Sequence, residues 1–134
     1  MDSRLHDPGH NDLDAFLRSQ GLKNWDLRTQ QGAAKDLLPS VSGQHKQSLL
    51  DAIGISVKLH GVKTVFLMNH EDCGAYGGSK AFGNARTEAE KQAADLRAAT
   101  ETIRTAYPSV AVWPYYVRID ESSGMPRLSF DAVR

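Results

Sequence analysis

Val62-Lys63-Thr64-Val65-Phe66-Leu67-Met68-Asn69-His70-Glu71-Asp72-Cys73-Gly74-Ala75-Tyr76-Gly77-Gly78 is the stretch on which the fold turns. Its first part, residues 62–68, is β-branched and almost free of charge, as a strand buried on both faces of a parallel sheet reads. It is therefore expected to be the central strand. Just upstream, Leu49, Leu50, Ile53, Val57 and Leu59 or His60 recur at three- and four-residue steps. That spacing predicts an amphipathic helix, preceded by Ser42 or Gly43 and closed by Gly61. Downstream, residues 87–106 predict a second long helix, with Thr87 and Glu90 spaced as a capping box and Tyr107-Pro108 as the stop.

Further from that stretch the patterns weaken. Residues 110–119 predict a strand in which Pro114 argues for an edge or a bulge, and residues 126–133 a last short strand after a turn at Ser123-Gly124. Before the first long helix, residues 24–29 read as a short strand and 30–43 as an irregular connection through Gly32 and Pro39. At the start, Asp7, Pro8, Gly9 and Asn11 are turn formers. Leu13, Phe16 and Leu17 then fall on one helical face, with Asn11 or Asp12 as cap and Gly21 as stop. Helices alternating with strands predict a single α/β domain over residues 1–134, its sheet mostly parallel and flanked by helices.

The composition narrows the function classes. At 134 residues the chain fits one domain. Sixteen basic residues against sixteen acidic ones leave no net field to recruit nucleic acid or an anionic membrane. A small neutral or weakly charged ligand suits such a surface better. Cys73 is the lone cysteine, so no internal disulfide forms, and no charged leader followed by an apolar run is present. The longest apolar run, residues 65–68, falls far short of the ~18 residues a membrane span needs. A cytoplasmic protein is expected.

The chemistry gathers in residues 69–78, at the carboxyl end of the expected central strand, where ligands bind in open α/β sheets. His70 and Cys73, three positions apart across a tight turn, can bring an imidazole nitrogen and a thiolate to one ion. Zinc accepts both, at about 2.0–2.1 Å for nitrogen and 2.3 Å for sulfur. A helix starting near Cys73 would favour the thiolate. The plain alternative is a buried small thiol beside a strand-end histidine. Three other uses fail on sequence. A phosphatase-type thiol loop wants arginine where Ser79 stands, Gly78-Ser79-Lys80-Ala81 breaks the order of a nucleotide P-loop, and Gly74, Gly77 and Gly78 lack the dinucleotide spacing.

Asp2-Ser3-Arg4 at the start of the chain would, alone, read as a terminal ion pair with no role. Paired with the later motif, it gains meaning. The β-class carbonic anhydrases carry a Cys-x-Asp-Ser-Arg motif at the end of their first strand and a His-x-x-Cys-Gly motif at the end of a later one. Met1-Asp2-Ser3-Arg4 resembles the first from its second position onward, and His70-Glu71-Asp72-Cys73-Gly74 matches the second in full. The intervening residues 48–69, with Leu59-His60-Gly61-Val62, also look like the family's segment. Of the family's Arg-Asn-Ala-Gly turn, Arg28-Thr29-Gln30-Gln31-Gly32 keeps the arginine and a later glycine.

The resemblance implies zinc held by His70, Cys73 and a cysteine immediately before Met1, with water in the fourth position. It also implies that the domain over residues 1–134 lacks the family's first strand, which is central in the family's sheet, and that the reading frame continues upstream through that cysteine. Zinc lowers the pKa of bound water to roughly 7, and the hydroxide attacks carbon dioxide to give bicarbonate. Asp2 would accept a hydrogen bond from that hydroxide while Arg4 holds its carboxylate, and these two are the expected catalytic residues. In the family the same aspartate can swing onto the metal, which makes Asp2 a candidate ligand beside His70 and Cys73. The implied partners are carbon dioxide or bicarbonate and further copies of the chain in a homodimer or higher homo-oligomer, with no nucleic acid and no membrane. Two other classes compete: a non-catalytic binding or assembly module of the same fold, and a related zinc hydrolase of carbonyl sulfide or carbon disulfide.

Other polar and aromatic residues are expected to be structural. His6, His10, His45 and His60 lack ligand spacing and read as solvated or capping groups, one of them a candidate proton shuttle. Trp25, Trp113, Tyr115 and Tyr116 read as core or subunit-interface groups, since no basic patch accompanies them. Glu71 and Asp72 read as exposed loop charges or as groups orienting the site from behind the ligands.

Overall fold

The computed structural model, which describes residues 2–5 and 11–134, holds three α-helices and three strands. In chain order they are α1 (Asp12–Ser19), α2 (Gln44–His60), β1 (Thr64–His70), α3 (Ala85–Ala106), β2 (Ala111–Asp120) and β3 (Arg127–Ala132). Short 3-10 turns lie at Ser3–Leu5, Ala33–Leu37, Gly74–Tyr76 and Ser79–Ala81. His6, Asp7, Pro8, Gly9 and His10 lie outside the described residues, and so do the expectations placed on them.

The helix boundaries follow from local chemistry. Asn11 caps α1, its side chain accepting from the Asp14 N–H at 3.0 Å. Gly61 ends α2 in the left-handed region at φ 64, a conformation glycine reaches without Cβ strain. At α3 the cap is Asn84, which accepts from the Thr87 N–H at 2.9 Å. The capping box expected at Thr87 and Glu90 is therefore displaced by an asparagine three residues earlier, and Glu90 pairs with Arg86 instead.

The sheet runs β1-β2-β3, with β1 parallel to β2 and β2 antiparallel to β3. It is a mixed sheet, not the mostly parallel one expected, because the turn around Gly124 sends β3 straight back along β2. β2 is the middle strand and β1 pairs on one side only among the described residues, which corrects the expectation that β1 is central. Pro114 sits inside β2 without breaking it. The β3 pairing ends at Tyr115↔Ala132, so its missing N–H falls beyond the ladder, while its carbonyl still accepts from Val133 N–H at 2.9 Å. The strand expected at residues 24–29 does not form. Side chains hold that segment against α2 instead: Asp26 accepts from Ser56 Oγ at 2.9 Å and contacts His60 Nδ1 at 2.7 Å, and Arg28 donates to Ser48 Oγ at 3.0 Å.

Each face of the sheet has its own core. On one, Leu67, Val112 and Tyr116 pack with Leu96, Ala99 and Ile103 of α3, joined by Leu37 and Leu49. On the other, Phe16 of α1 stacks on Phe130 with centroids 4.2 Å apart and meets Tyr115 edge-on at 4.9 Å. Of the four aromatic residues expected in the core or at a subunit interface, Tyr116 is in the core and Tyr115 in this second cluster. Trp25 lies under the Arg18 guanidinium, and Trp113 is exposed. No helix among the described residues is long and apolar enough to cross a membrane.

Candidate metal centre

β1 delivers His70 to its carboxyl end, and the chain then has to turn sharply to bring Cys73 back beside it. The turn is made at Asp72, which holds φ 55, the one described non-glycine residue in the left-handed region. A backbone of that kind costs on the order of 1–3 kcal/mol and persists only where its surroundings fix it. Here they do. Asp72 Oδ1 accepts from the Ser79 N–H at 2.8 Å, and the Asp72 N–H donates to Glu88 Oε1 of α3 at 2.6 Å. Glu71 is tied as well, its carboxylate accepting from the Ile119 N–H while its own N–H donates to the Val117 carbonyl at 2.9 Å. Both acidic residues of the motif thus shape the turn.

The His70 and Cys73 side chains lie close enough for each to act on the other's titration. The His70 Nδ1–H donates to the Glu71 carbonyl at 2.8 Å, since a carbonyl only accepts. That bond fixes the tautomer and leaves Nε2 as the nitrogen with a free lone pair, the arrangement found at metal-ligating histidines. Burial acts to lower the His70 pKa, but the Cys73 sulfur, the Glu71 carbonyl and the Asp2 charge together outweigh it and raise it. Burial acts to raise the Cys73 pKa, and the His70 contact with the backbone N–H groups of Ala75 and Gly32 overcomes it, so the thiolate is favoured. The donor set, one orientable imidazole nitrogen and one buried thiolate, has the softness zinc accepts.

Gly32 reaches the sulfur because its loop comes unusually close. It holds φ 66, and a Cβ there would lie 2.8 Å from the Ala75 Cβ. Two independent constraints therefore demand glycine at this position. This is the later glycine of the Arg28 segment, and Arg28 itself lines the adjoining cavity.

Asp2 and Arg4 lie at the same end of the sheet. Arg4 grips the Asp2 carboxylate with two prongs, Nε to Oδ1 at 3.1 Å and Nη2 to Oδ2 at 2.7 Å, while its Nη1 donates to Asp72 Oδ2 at 3.1 Å. Hydrogen bonding to Arg4 outweighs burial and holds the Asp2 pKa down at about 2, with a small further contribution from His70. The first and second motifs are thus joined directly, across 68 residues of sequence. Asp2, His70 and Cys73 all line one cavity of about 850 Å³, walled by Leu13, Met68, Val117 and Phe130 on its apolar side. Among the described residues no three His, Cys, Asp or Glu side chains close into a complete metal-binding group. Neither His45 nor His60 lines the cavity, and His60 belongs to the Asp26 contact on α2.

Several residues of the site were not singled out by the sequence. Glu88, Gln92, Asn69, Tyr76 and Asp95 form a polar layer behind the loop. Asn69 Nδ2 donates to the Tyr76 hydroxyl at 3.1 Å, that hydroxyl donates to Asp95 Oδ2 at 2.9 Å, and Asn69 Oδ1 accepts from the Ala34 N–H at 3.2 Å. Burial, helped by Asp95, raises the Tyr76 pKa, so the hydroxyl stays a donor. A signal for the α3 members did exist: Glu88, Gln92 and Asp95 share the helical stripe of Leu96, Ala99 and Ile103, where polar residues have no place unless bonded.

The family model described as "Putative carbonic anhydrase" matches residues 1–123, and the chain belongs to that carbonic-anhydrase-like family. It is also 27% identical over 124 residues to an uncharacterized protein of Rickettsia conorii and 24% identical over 124 residues to an uncharacterized protein of Rickettsia bellii. Each alignment takes in 90% of this chain, but 64% of the first relative and 73% of the second. The chain therefore spans about two thirds of the length of these relatives. No solved structure matches it.

Proposed function

We propose that the protein is a zinc-dependent carbonic anhydrase of the β class, hydrating carbon dioxide to bicarbonate. One observation carries the reading: the Arg4 side chain bonds Asp2 and Asp72 at once, tying an Asp-Ser-Arg segment to a His-x-x-Cys turn whose imidazole is already in a ligating tautomer. His70 Nε2 and the Cys73 thiolate would hold the metal, with Asp2 beside them and a cysteine encoded ahead of Met1 as the third protein ligand of the open site. Zinc supplies acidity there, lowering the pKa of a coordinated water to about 7. Asp2, kept ionised by Arg4, would accept a hydrogen bond from the attacking water and orient it toward substrate. Arg4 cannot lose its proton, so the pair stays charged across the physiological range. The apolar wall of the cavity suits an uncharged substrate.

The test is zinc content and stopped-flow carbon dioxide hydration on the protein expressed from its natural reading frame, beside Cys73→Ser. The reading expects about one zinc per chain and measurable hydration in the parent, both abolished in the variant. A zinc-loaded parent without hydration, active on carbonyl sulfide or carbon disulfide, would transfer the site to the hydrolase class. A parent that takes up no zinc would leave a binding module.

A further inference from the structure

Glu88 and Gln92 stand one turn apart on the inner face of α3, and both are buried, at 1% and 0% exposure. An apolar pair would pack there at less cost, because a buried carboxylate must be compensated by bonds to the ionised group. Glu88 has no cation paired with it among the described residues. Its compensation comes from three donors: the Asp72 N–H at 2.6 Å, the Ser79 hydroxyl at 2.6 Å and the Gln92 amide at 3.3 Å. Gln92 in turn donates to the His70 carbonyl at 2.9 Å, while its own carbonyl oxygen, equally buried, bonds to nothing. The helix thus spends two polar side chains, one left half-satisfied, on three points of a single loop.

Those points bracket the candidate ligands. Gln92 fixes the backbone at His70, Glu88 fixes it at Asp72, where the chain adopts its left-handed turn, and Glu88 fixes Ser79 where the loop returns to the helix. Glu88 grips the Glu71–Asp72 peptide, which lies between the two candidate ligands, and Cys73 follows one residue beyond it. The loop is also tied through Glu71 to the β2 backbone, through Tyr76 to Asp95 and through Asp72 to Arg4, but the buried bonds at the Asp72 N–H and the Ser79 hydroxyl are made by Glu88.

We infer that Glu88, assisted by Gln92, is the positioning residue of this site: its buried carboxylate holds the Asp72 turn in the geometry that brings the His70 imidazole and the Cys73 thiolate to one point. Neither residue touches the ligand. The inference rests on the zinc reading above for what the loop holds, but not for the clamp itself.

The experiment compares Glu88→Ala, Glu88→Gln and Gln92→Ala with Ile103→Ala, a core truncation two turns or more away along α3 that destabilises without touching the loop. Zinc affinity is measured by chelator competition, and Cys73 alkylation by iodoacetamide is timed in the metal-free proteins. Loss of an outer-sphere partner commonly weakens metal binding 10–100-fold. Glu88→Ala is expected to weaken zinc at least tenfold and speed alkylation at least tenfold, relative to Ile103→Ala at matched thermal stability. Glu88→Gln keeps an acceptor for the Asp72 N–H and should recover most of both. If Glu88→Ala does not fold, Gln92→Ala carries the comparison, with a smaller change in the same direction. Affinity and alkylation in Glu88→Ala and Gln92→Ala equal to those of Ile103→Ala would overturn the clamp. A parent without zinc would sink the functional reading alone, and the alkylation rates would then decide this one.

Discussion

The His70–Ser79 loop is fixed from inside the molecule, whereas the Asp2–Arg4 segment is fixed from its surface. The loop's anchors are buried side chains of α3 and a glycine that admits no Cβ, and its thiol is itself buried. The segment buries no residue of its 3-10 turn and is held by Arg4, whose partners Asp2, Asp72 and Glu121 are all partly exposed. A metal ligand displaced by a fraction of an ångström loses its metal, which suits a rigid, core-coupled support. A carboxylate that only orients a water suits a tether that charge can hold and release.

The comparison breaks first at the loop. Gly32→Ala forces a Cβ into the left-handed region, at about 1–2 kcal/mol for the backbone alone, and drives it against Ala75 at 2.8 Å. The expected result is a clear loss of thermal stability together with weaker zinc binding. Unchanged melting and unchanged affinity would mean that the close approach of the two loops has no energetic weight.

At the tether the effects should separate. Partly exposed ion pairs contribute about 0–1 kcal/mol, so Asp2→Asn and Arg4→Ala should melt close to the parent and keep their zinc. Carbon dioxide hydration should nonetheless fall at least tenfold, since one charge-assisted contact is worth about 1.5–3 kcal/mol and each 1.36 kcal/mol is tenfold in rate. Stopped-flow rates on zinc-matched samples measure this. Parent-like rates would reduce the pair to a structural contact.

The smallest effect is a titration. The Asp2 pKa is depressed in the folded chain to about 2, against 3.8 for the free group. A depressed carboxyl contributes stability above its unfolded pKa and loses it as pH falls through the folded value. The tether should therefore be intact at pH 4 and released only near pH 2, readable as the Asp2 carboxyl shift in an NMR titration. A midpoint near 3.8 would show that Arg4 does not hold it.

Most of this site could be read from sequence where the signal was local. The His-x-x-Cys turn announces itself because both candidate ligands lie within four residues of a strand end, and Gly61, Asn11 and Tyr107-Pro108 mark helix ends by chemistry confined to one turn. What depended on distant partners was lost. β1 carries the apolar run of a central strand, yet which strand is central depends on where β2 and β3 pair. The segment at 24–29 has no strand partner among the described residues and is held by Ser48, Ser56 and His60 instead. Glu88 and Gln92 look like the polar side of an ordinary exposed helix until Leu96, Ala99 and Ile103 are seen on the same stripe.

The central claim, that His70 and Cys73 are the two halves of one metal site to which Asp2 is a neighbour, is tested most directly by X-ray absorption at the zinc edge of the protein expressed from its natural frame. The account predicts sulfur near 2.3 Å and imidazole nitrogen near 2.0–2.1 Å. It predicts the same two shells in Asp2→Asn, and loss of bound zinc or of a sulfur scatterer in Cys73→Ser. A spectrum of oxygen and nitrogen alone in the parent, or one that Cys73→Ser leaves unchanged, would contradict it.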